Sequence, residues 1–187
     1  MEQVEAIGLL ARAANTANAL VVSDIGSQTV WLHATGDRPE YLYLTGPMGM
    51  AAAVALGVAL GVPTRPVLAI CGDGALAMSL NSLATIADCA PANLTVAVMD
   101  NGVYDFTGKI PASARAIAWE KIGMMFPAFC WFEELGFGAN LHFTSDRGLG
   151  LIRAVVAPSR DAPPKFPLEP AAIHSRFAMA LKNDTQL

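Results

Sequence analysis

VLAICGDGA, residues 67–75, runs five apolar side chains straight into a carboxylate flanked by two glycines. A short run of this kind predicts a buried strand over 66–71, followed by a tight turn at GDG and then a helix. Asp73 therefore sits where an unpaired charge would be costly to bury. Something must offset that charge, and the rest of the chain has to supply it.

The same pattern extends in both directions. A helix is expected over 2–14, a short buried strand at ALVVSD (19–24) ending at Gly26, and a polar turn at TGDRPEY. The loop 46–49 opens an Ala-rich helix that stops at GVPTRP. After GDG, Leu76, Leu80, Leu83, Ala87 and Ala90 fall on one helical face at 4-3-4-3 spacing, Pro91 ends that helix, and NLTVAVMD (93–100) is the next strand. Strands that are apolar throughout, separated by helices, imply a mostly parallel sheet covered on both faces, a three-layer α/β/α fold. In such sheets functional groups gather at the carboxyl ends of the strands. Asp24, Asp73 and Asp100-Asn101 all fall at such ends. Further on, residues 112–138 read as a helix interrupted at Pro127, LIRAVVAP (151–158) as a strand, and RDAPPKFPLEP as an extended connector to a helix over 171–182. The chain is read as one domain, 1–187, with the connector and closing helix at about 158–187.

Of the 187 residues, 53% are hydrophobic and 15% charged, with a net charge of -4. This is not a disordered composition. No basic stripe points to nucleic acid. The low charge content is compatible with a surface partly covered by partner subunits. The opening MEQVEAIGLLARAAN lacks the basic segment of a secretory signal, and MGMAAAVALGVALGV (48–62) is too short for a membrane span. Its Ala and Gly content predicts a tightly packed internal helix. Cys71, Cys89 and Cys130 are odd in number and show no CxxC spacing, which argues against disulfides and zinc and for a reducing cytoplasm.

Gly72-Asp73-Gly74 and Asp100-Asn101-Gly102 carry the chemistry. A carboxylate oxygen and an amide oxygen on adjacent strand ends are hard ligands suited to Mg²⁺ or Ca²⁺. Mg²⁺ takes few carboxylates and completes its octahedron with phosphate oxygens and water. Gly72 and Gly74 let the backbone approach a phosphate, toward which a helix starting near Ala75 would aim free N–H groups. A lone GDG is more often only a tight strand-to-helix turn with its aspartate as N-cap. The second element, placed twenty-five residues after the first, favours the metal reading.

That spacing resembles the thiamine diphosphate-binding motif, with Asp100 in place of the more usual first Asn. GDRPEYLYLTGPMGMAAAVALGVAL, GDGALAMSLNSLATIA, DNGVYDFTG and PPKFPLEPAAIHSRF extend the resemblance to the beta subunits of sulfopyruvate and phosphonopyruvate decarboxylases, which consist of the diphosphate-binding domain. The resemblance implies that Asp73, Asn101 and the Val103 carbonyl hold Mg²⁺. It implies cofactor contacts from Ser27, Gln28, Gly72, Gly74, Ala75 and Tyr104. It further implies that the Gly46 carbonyl accepts a hydrogen bond from the 4'-amino group of the aminopyrimidine and that Met48 is wedged beneath the cofactor, forcing its two rings into a bent V. Ser27 and Gln28 read equally well as a solvated polar turn, and Met48 as a core methionine.

The activating glutamate of that family comes from its pyrimidine-binding domain, whose motif none of the glutamates at 2, 5, 40, 120, 133, 134 and 169 matches. The resemblance therefore implies half an active site, with no catalytic residue of its own unless His33 relays protons. An alpha-type pyrimidine-binding subunit would complete it in a hetero-oligomer holding more than one copy of each chain. The implied activity is decarboxylation of a small 2-oxo acid such as sulfopyruvate or phosphonopyruvate. A carboligase subunit resembling acetolactate synthase and a non-catalytic scaffold are the alternatives. A nucleotide-binding module ranks last, because GxGxxG and P-loop lysine are both missing. His33, His142 and His174 fit no metal spacing.

One segment departs from the family. YDFTGKIPA stands where YGSTGNQPT is usual, so Asp105 and Phe106 replace small residues and Lys109-Ile110 an amide pair. Lys109 reads either as a point charge for an anionic substrate or as a solvated loop lysine. Trp119, Phe126, Phe129, Trp131 and Phe132 read as a core, or alternatively as a lid or subunit contact.

Overall fold

The computed structural model of the chain describes residues 1–132, 143, 148–160 and 164–182, and for 129–132 the backbone alone. In chain order the elements are α1 (Gln3–Thr16), β1 (Leu20–Ser23), α2 (Ser27–Ala34), β2 (Tyr41–Tyr43), α3 (Ala51–Gly61) and β3 (Val67–Gly72). There follow α4 (Asp73–Met78), α5 (Asn81–Cys89), β4 (Leu94–Asp100), the short strands β5 (Val103–Tyr104) and β6 (Ile110–Pro111), α6 (Trp119–Gly123), β7 (Ala128–Phe132), β8 (Gly150–Val155) and α7 (Pro170–Lys182). Six strands form one sheet in the order β2-β1-β3-β4-β8-β7, and every pairing in it is parallel. β5 and β6 make a separate antiparallel ribbon just beyond the end of β4.

Alternation along β3 divides the core into two layers. Val67, Ala69 and Cys71 face a cluster with Ala52, Ala55 and Leu56 of α3 and with Leu83 and Ile86 of α5. Leu68 and Ile70 face the opposite cluster, with Ile7 and Leu10 of α1, Leu32 of α2 and Ile173 of α7. Both sets are fully buried along β3, which explains why that strand reads as a continuous apolar run. This is the three-layer arrangement expected. Among the described residues no helix is long and apolar enough to cross a membrane.

Several elements depart from expectation. The helix expected after GDG is two helices. Ser79 leaves helical geometry at φ -128° and ψ 39°, and its hydroxyl donates to the Gly49 carbonyl instead. Leu83 and Ile86 are buried on α5, whereas Leu80 is half-buried at the break and Ala90 caps α5 in left-handed geometry. The Ala-rich helix α3 is internal on one side only, with Leu60 55% exposed on the other. The region over 112–132 is not one interrupted helix: after the single turn-and-a-half of α6, the residues beyond Pro127 form strand β7. A short apolar run rich in aromatics has no decisive period, and β7 has a partner edge waiting on β8. The polar turn at TGDRPEY includes the start of β2, whose Tyr41 and Tyr43 are buried. Trp119 and Phe126 are core residues, as core packing required, and the side chains of Phe129, Trp131 and Phe132 lie outside the description.

The break at Ser79 makes unequal contributions from two leucines that the helical spacing treats alike. Leu83→Ala is expected to cost about 3 kcal/mol and Leu80→Ala less than half of that, read as shifts in the urea midpoint.

Candidate functional site

β1, β3 and β4 are neighbours in the sheet, so their carboxyl ends bring Asp24, Asp73 and Asp100-Asn101 to one edge. Asp73 is 2% exposed and is the first residue of α4, with Gly72 rather than Asp73 at the N-cap position. Its Oδ1 accepts the Gly74 N–H at 2.7 Å and its Oδ2 the Gly102 N–H at 3.0 Å. Two backbone donors from two strand ends thus offset part of its charge. Burial and the neighbouring Asp100 carboxylate nevertheless push its carboxyl above the usual carboxylate range. Asp100 itself is tied off by Arg153, at 2.6 Å from Nη2.

Asn101 lies one residue from the Gly102 N–H that Asp73 holds. Its Oδ1 accepts the Val103 N–H at 3.0 Å, and its Nδ2 donates to Asp105 Oδ2 at 3.0 Å and, more weakly, to Gln3 Oε1 at 3.5 Å. Gly102, at φ +70°, makes the turn that doubles the chain back into the β5–β6 ribbon.

Asp73, Asn101 and Val103 line one cavity of about 610 Å³. Ser27, Gln28, Gly72, Gly74, Ala75, Tyr104 and Met48 line it as well. Ser27 and Gln28 are buried, and they open helix α2 rather than forming a solvated turn. Gln28 lies over Gly72 so closely that a Cβ there would fall 2.8 Å from Nε2, and a Cβ on Gly74 would run into the Tyr104 ring. Packing against the Tyr104 ring requires glycine at 74, whereas a side chain at 72 would have to displace the flexible end of Gln28. Exposed Met48, Met78 and Phe106 form an apolar rim around the opening.

Three candidates fall outside the lining. Gly46 is exposed beside it. His33 packs edge-on against Tyr43 and Phe166, with ring centroids 5.9 Å and 5.3 Å away, so it reaches the cavity wall only through Phe166. Lys109 is not among the lining residues, and its Nζ donates to the Ser159 carbonyl at 2.7 Å. His174 is exposed on α7, and His142 lies outside the described residues. Among the described residues no group of three His, Cys, Asp or Glu side chains could hold a metal. A cation here would depend on one carboxylate plus neutral oxygens, the ligand set that suits Mg²⁺ bound together with phosphate.

Asp24 contributes in a way that the sequence hides. Fully buried, it accepts the Gly49 N–H on both oxygens at 3.1 Å, and the Gly49 carbonyl accepts the Ser79 hydroxyl. Gly49 sits at φ +83°, and a Cβ on it would fall 2.5 Å from the Ala75 carbonyl oxygen. The loop bearing Met48 is therefore pinned through both backbone groups of Gly49, to the end of β1 and to Ser79 just after α4. Only its place at a strand end, beside Asp73 and Asp100, marked Asp24 beforehand.

The family model "Thiamine pyrophosphate enzyme, C-terminal TPP binding domain" matches residues 24–121. This stretch holds all three strand ends and the cavity-lining glycines, and the chain belongs to that family of thiamine pyrophosphate enzymes. It is similar to a phosphonopyruvate decarboxylase of Streptomyces viridochromogenes, 50% identical over 114 residues, or 56% of this chain and 28% of that protein. The match thus spans well under a third of that relative's length. It is also 29% identical over 188 residues to a sulfopyruvate decarboxylase subunit beta of Methanothermobacter thermautotrophicus, covering 100% of this chain and 98% of the relative. Among solved structures, the benzoylformate decarboxylase from Polynucleobacter necessarius superposes with a TM-score of 0.66 at 18% identity, over 85% of this chain and 34% of that one. At that identity the likeness speaks for the fold.

Burial raises the Asp24 carboxyl from 3.8 to about 6, against the lowering effect of the Gly49 and Ile25 N–H groups. The folded state therefore binds this proton more tightly than the unfolded chain does. Asp24 stabilises the fold most below pH 4, and stability falls as pH climbs through 4 to 6. Asp24→Asn should remove that fall, gaining on the parent by up to about 3 kcal/mol across this window in urea midpoints taken over a pH series.

Proposed function

We propose that the chain, read as one diphosphate-binding domain over 1–187, is the Mg²⁺- and diphosphate-binding subunit of a thiamine diphosphate-dependent 2-oxo acid decarboxylase. The observation that carries this reading is the charge of the cavity. Its described lining includes Asp73 and Asp105 but no Lys, Arg or His. A diphosphate could settle there only with a divalent cation between it and these carboxylates.

Asp73, the Asn101 side-chain oxygen and the Val103 carbonyl would hold that cation, which would take the place of the proton that burial favours on Asp73. Gly72, Gly74 and Ala75 offer close backbone approach to the diphosphate, with Ser27, Gln28 and Tyr104 beside it. Met48, on its pinned loop, would support the rings, with Gly46 next to it. When bound, thiamine diphosphate supplies the electron sink needed as CO₂ leaves a 2-oxo acid. The chain's own task is to anchor, orient and exclude water, and the apolar walls at Ile25, Val30, Leu44 and Phe166 suit the last of these.

No glutamate lines the cavity among the described residues. A pyrimidine-binding partner subunit would bring the activating one, seated on the rim of Met48, Met78 and Phe106, in a hetero-oligomer with more than one copy of each chain. The names of the relatives suggest sulfopyruvate or phosphonopyruvate as substrate. Either carries a second anionic group, and since the described lining has no cation for it, the partner would supply one. The free thiols of Cys71 and Cys89 fit a cytoplasmic setting. The open cavity around Asp73 weighs for a binding role and against a scaffold.

Asp73→Ala is expected to lose Mg²⁺-dependent retention of thiamine diphosphate in equilibrium dialysis while keeping its circular dichroism spectrum. It leaves two backbone N–H groups short of an acceptor and so lowers stability by about 1–3 kcal/mol. Retention equal to the parent's would overturn the cation assignment.

A further inference from the structure

Asp105 is bound on one oxygen and bare on the other. Oδ2 accepts the Asn101 amide at 3.0 Å and the Ser159 hydroxyl at 3.2 Å, while Ser159 Oγ also accepts the Trp31 indole N–H at 3.2 Å. Oδ1 is buried without a hydrogen-bond partner among the described residues, on a side chain that lines the cavity. A buried carboxylate oxygen with no donor is costly, so its presence beside Asn101 calls for one.

We infer that Asp105 is a positioning residue for the cation site, fixing which way the Asn101 amide faces. An amide can present either its oxygen or its NH₂ to a cation, and only the oxygen binds. With Nδ2 held by Asp105, the Asn101 oxygen is turned away from the β5–β6 ribbon's carboxylate and stays available on the Val103 side. The chain Trp31–Ser159–Asp105 in turn anchors that carboxylate to α2 and to the segment after β8. Outer partners of this kind commonly decide how tightly a metal binds. The inference rests on the cation reading proposed above and gives Asp105 a role there beyond its charge.

The test follows Mn²⁺, as a paramagnetic stand-in for Mg²⁺, by electron paramagnetic resonance on the full chain with excess thiamine diphosphate. Asp105→Ala should raise the half-saturating Mn²⁺ concentration roughly ten- to a hundredfold. Asp105→Asn, which keeps an oxygen for the Asn101 amide, should recover part of that loss. Ser159→Ala removes the outer anchor without touching the Asn101 bond and should shift the midpoint less than about threefold. A parent-like midpoint in Asp105→Ala overturns the inference. So does a Ser159→Ala shift as large as that of Asp105→Ala, which would reduce Asp105 to a loop anchor. If the parent chain retains no Mn²⁺ with thiamine diphosphate, the cation reading itself fails.

Discussion

A carboxylate buried at the mouth of β3 governs how the surrounding chain is arranged. Asp73 has almost no contact with solvent, and the Gly74 and Gly102 N–H groups meet its two oxygens from different strand ends. That geometry requires β3 and β4 to end side by side, and it requires the chain after β4 to turn at once at Gly102. The turn sends Val103 to Pro111 back as the β5–β6 ribbon, which forms one wall of the cavity. Donation from two peptides softens the cost of burial without removing it, as the upward displacement of the Asp73 proton affinity attests. The site is thus built with unspent capacity for a positive charge.

The opposite wall is held by a second buried carboxylate. Asp24 grips the Gly49 N–H while Ser79 donates to the same residue's carbonyl, so the Met48 loop, the end of β1 and the end of α4 are joined through one residue. The interruption between α4 and α5 falls at this contact: Ser79 leaves helical geometry where its hydroxyl reaches the Gly49 carbonyl. Both walls are therefore fastened by buried carboxylates at strand ends.

Much of this was legible in advance. The apolar runs of β1, β3 and β4 end in acidic residues, and a parallel sheet places such ends together, so the site's location followed from pattern alone. What stayed hidden were features fixed by contacts distant in the chain. The 4-3-4-3 spacing runs unbroken through Ser79, and nothing local reports the partner at Gly49. AFCWF is too short to distinguish strand from helix by period, and β8 decides the matter. Gln28 reads as a turn residue until Gly72 is seen beneath it, and Lys109 as a free cation until the Ser159 carbonyl is found at its tip.

The all-parallel order of the sheet also bears on how the chain acquires this site. No two neighbouring strands of the sheet are joined by a hairpin, so each pairing closes a long loop before it gains any contact. β4 remains an edge until residues 150–155 arrive to pair with it, and Arg153 of that strand is the counter-ion of Asp100. During synthesis, the acidic end of β4 therefore waits for its arginine until more than four-fifths of the chain has been made. Pairing at this end is in this way a late event of folding, and Asp100 stays without its counter-ion while residues 101–152 are being made.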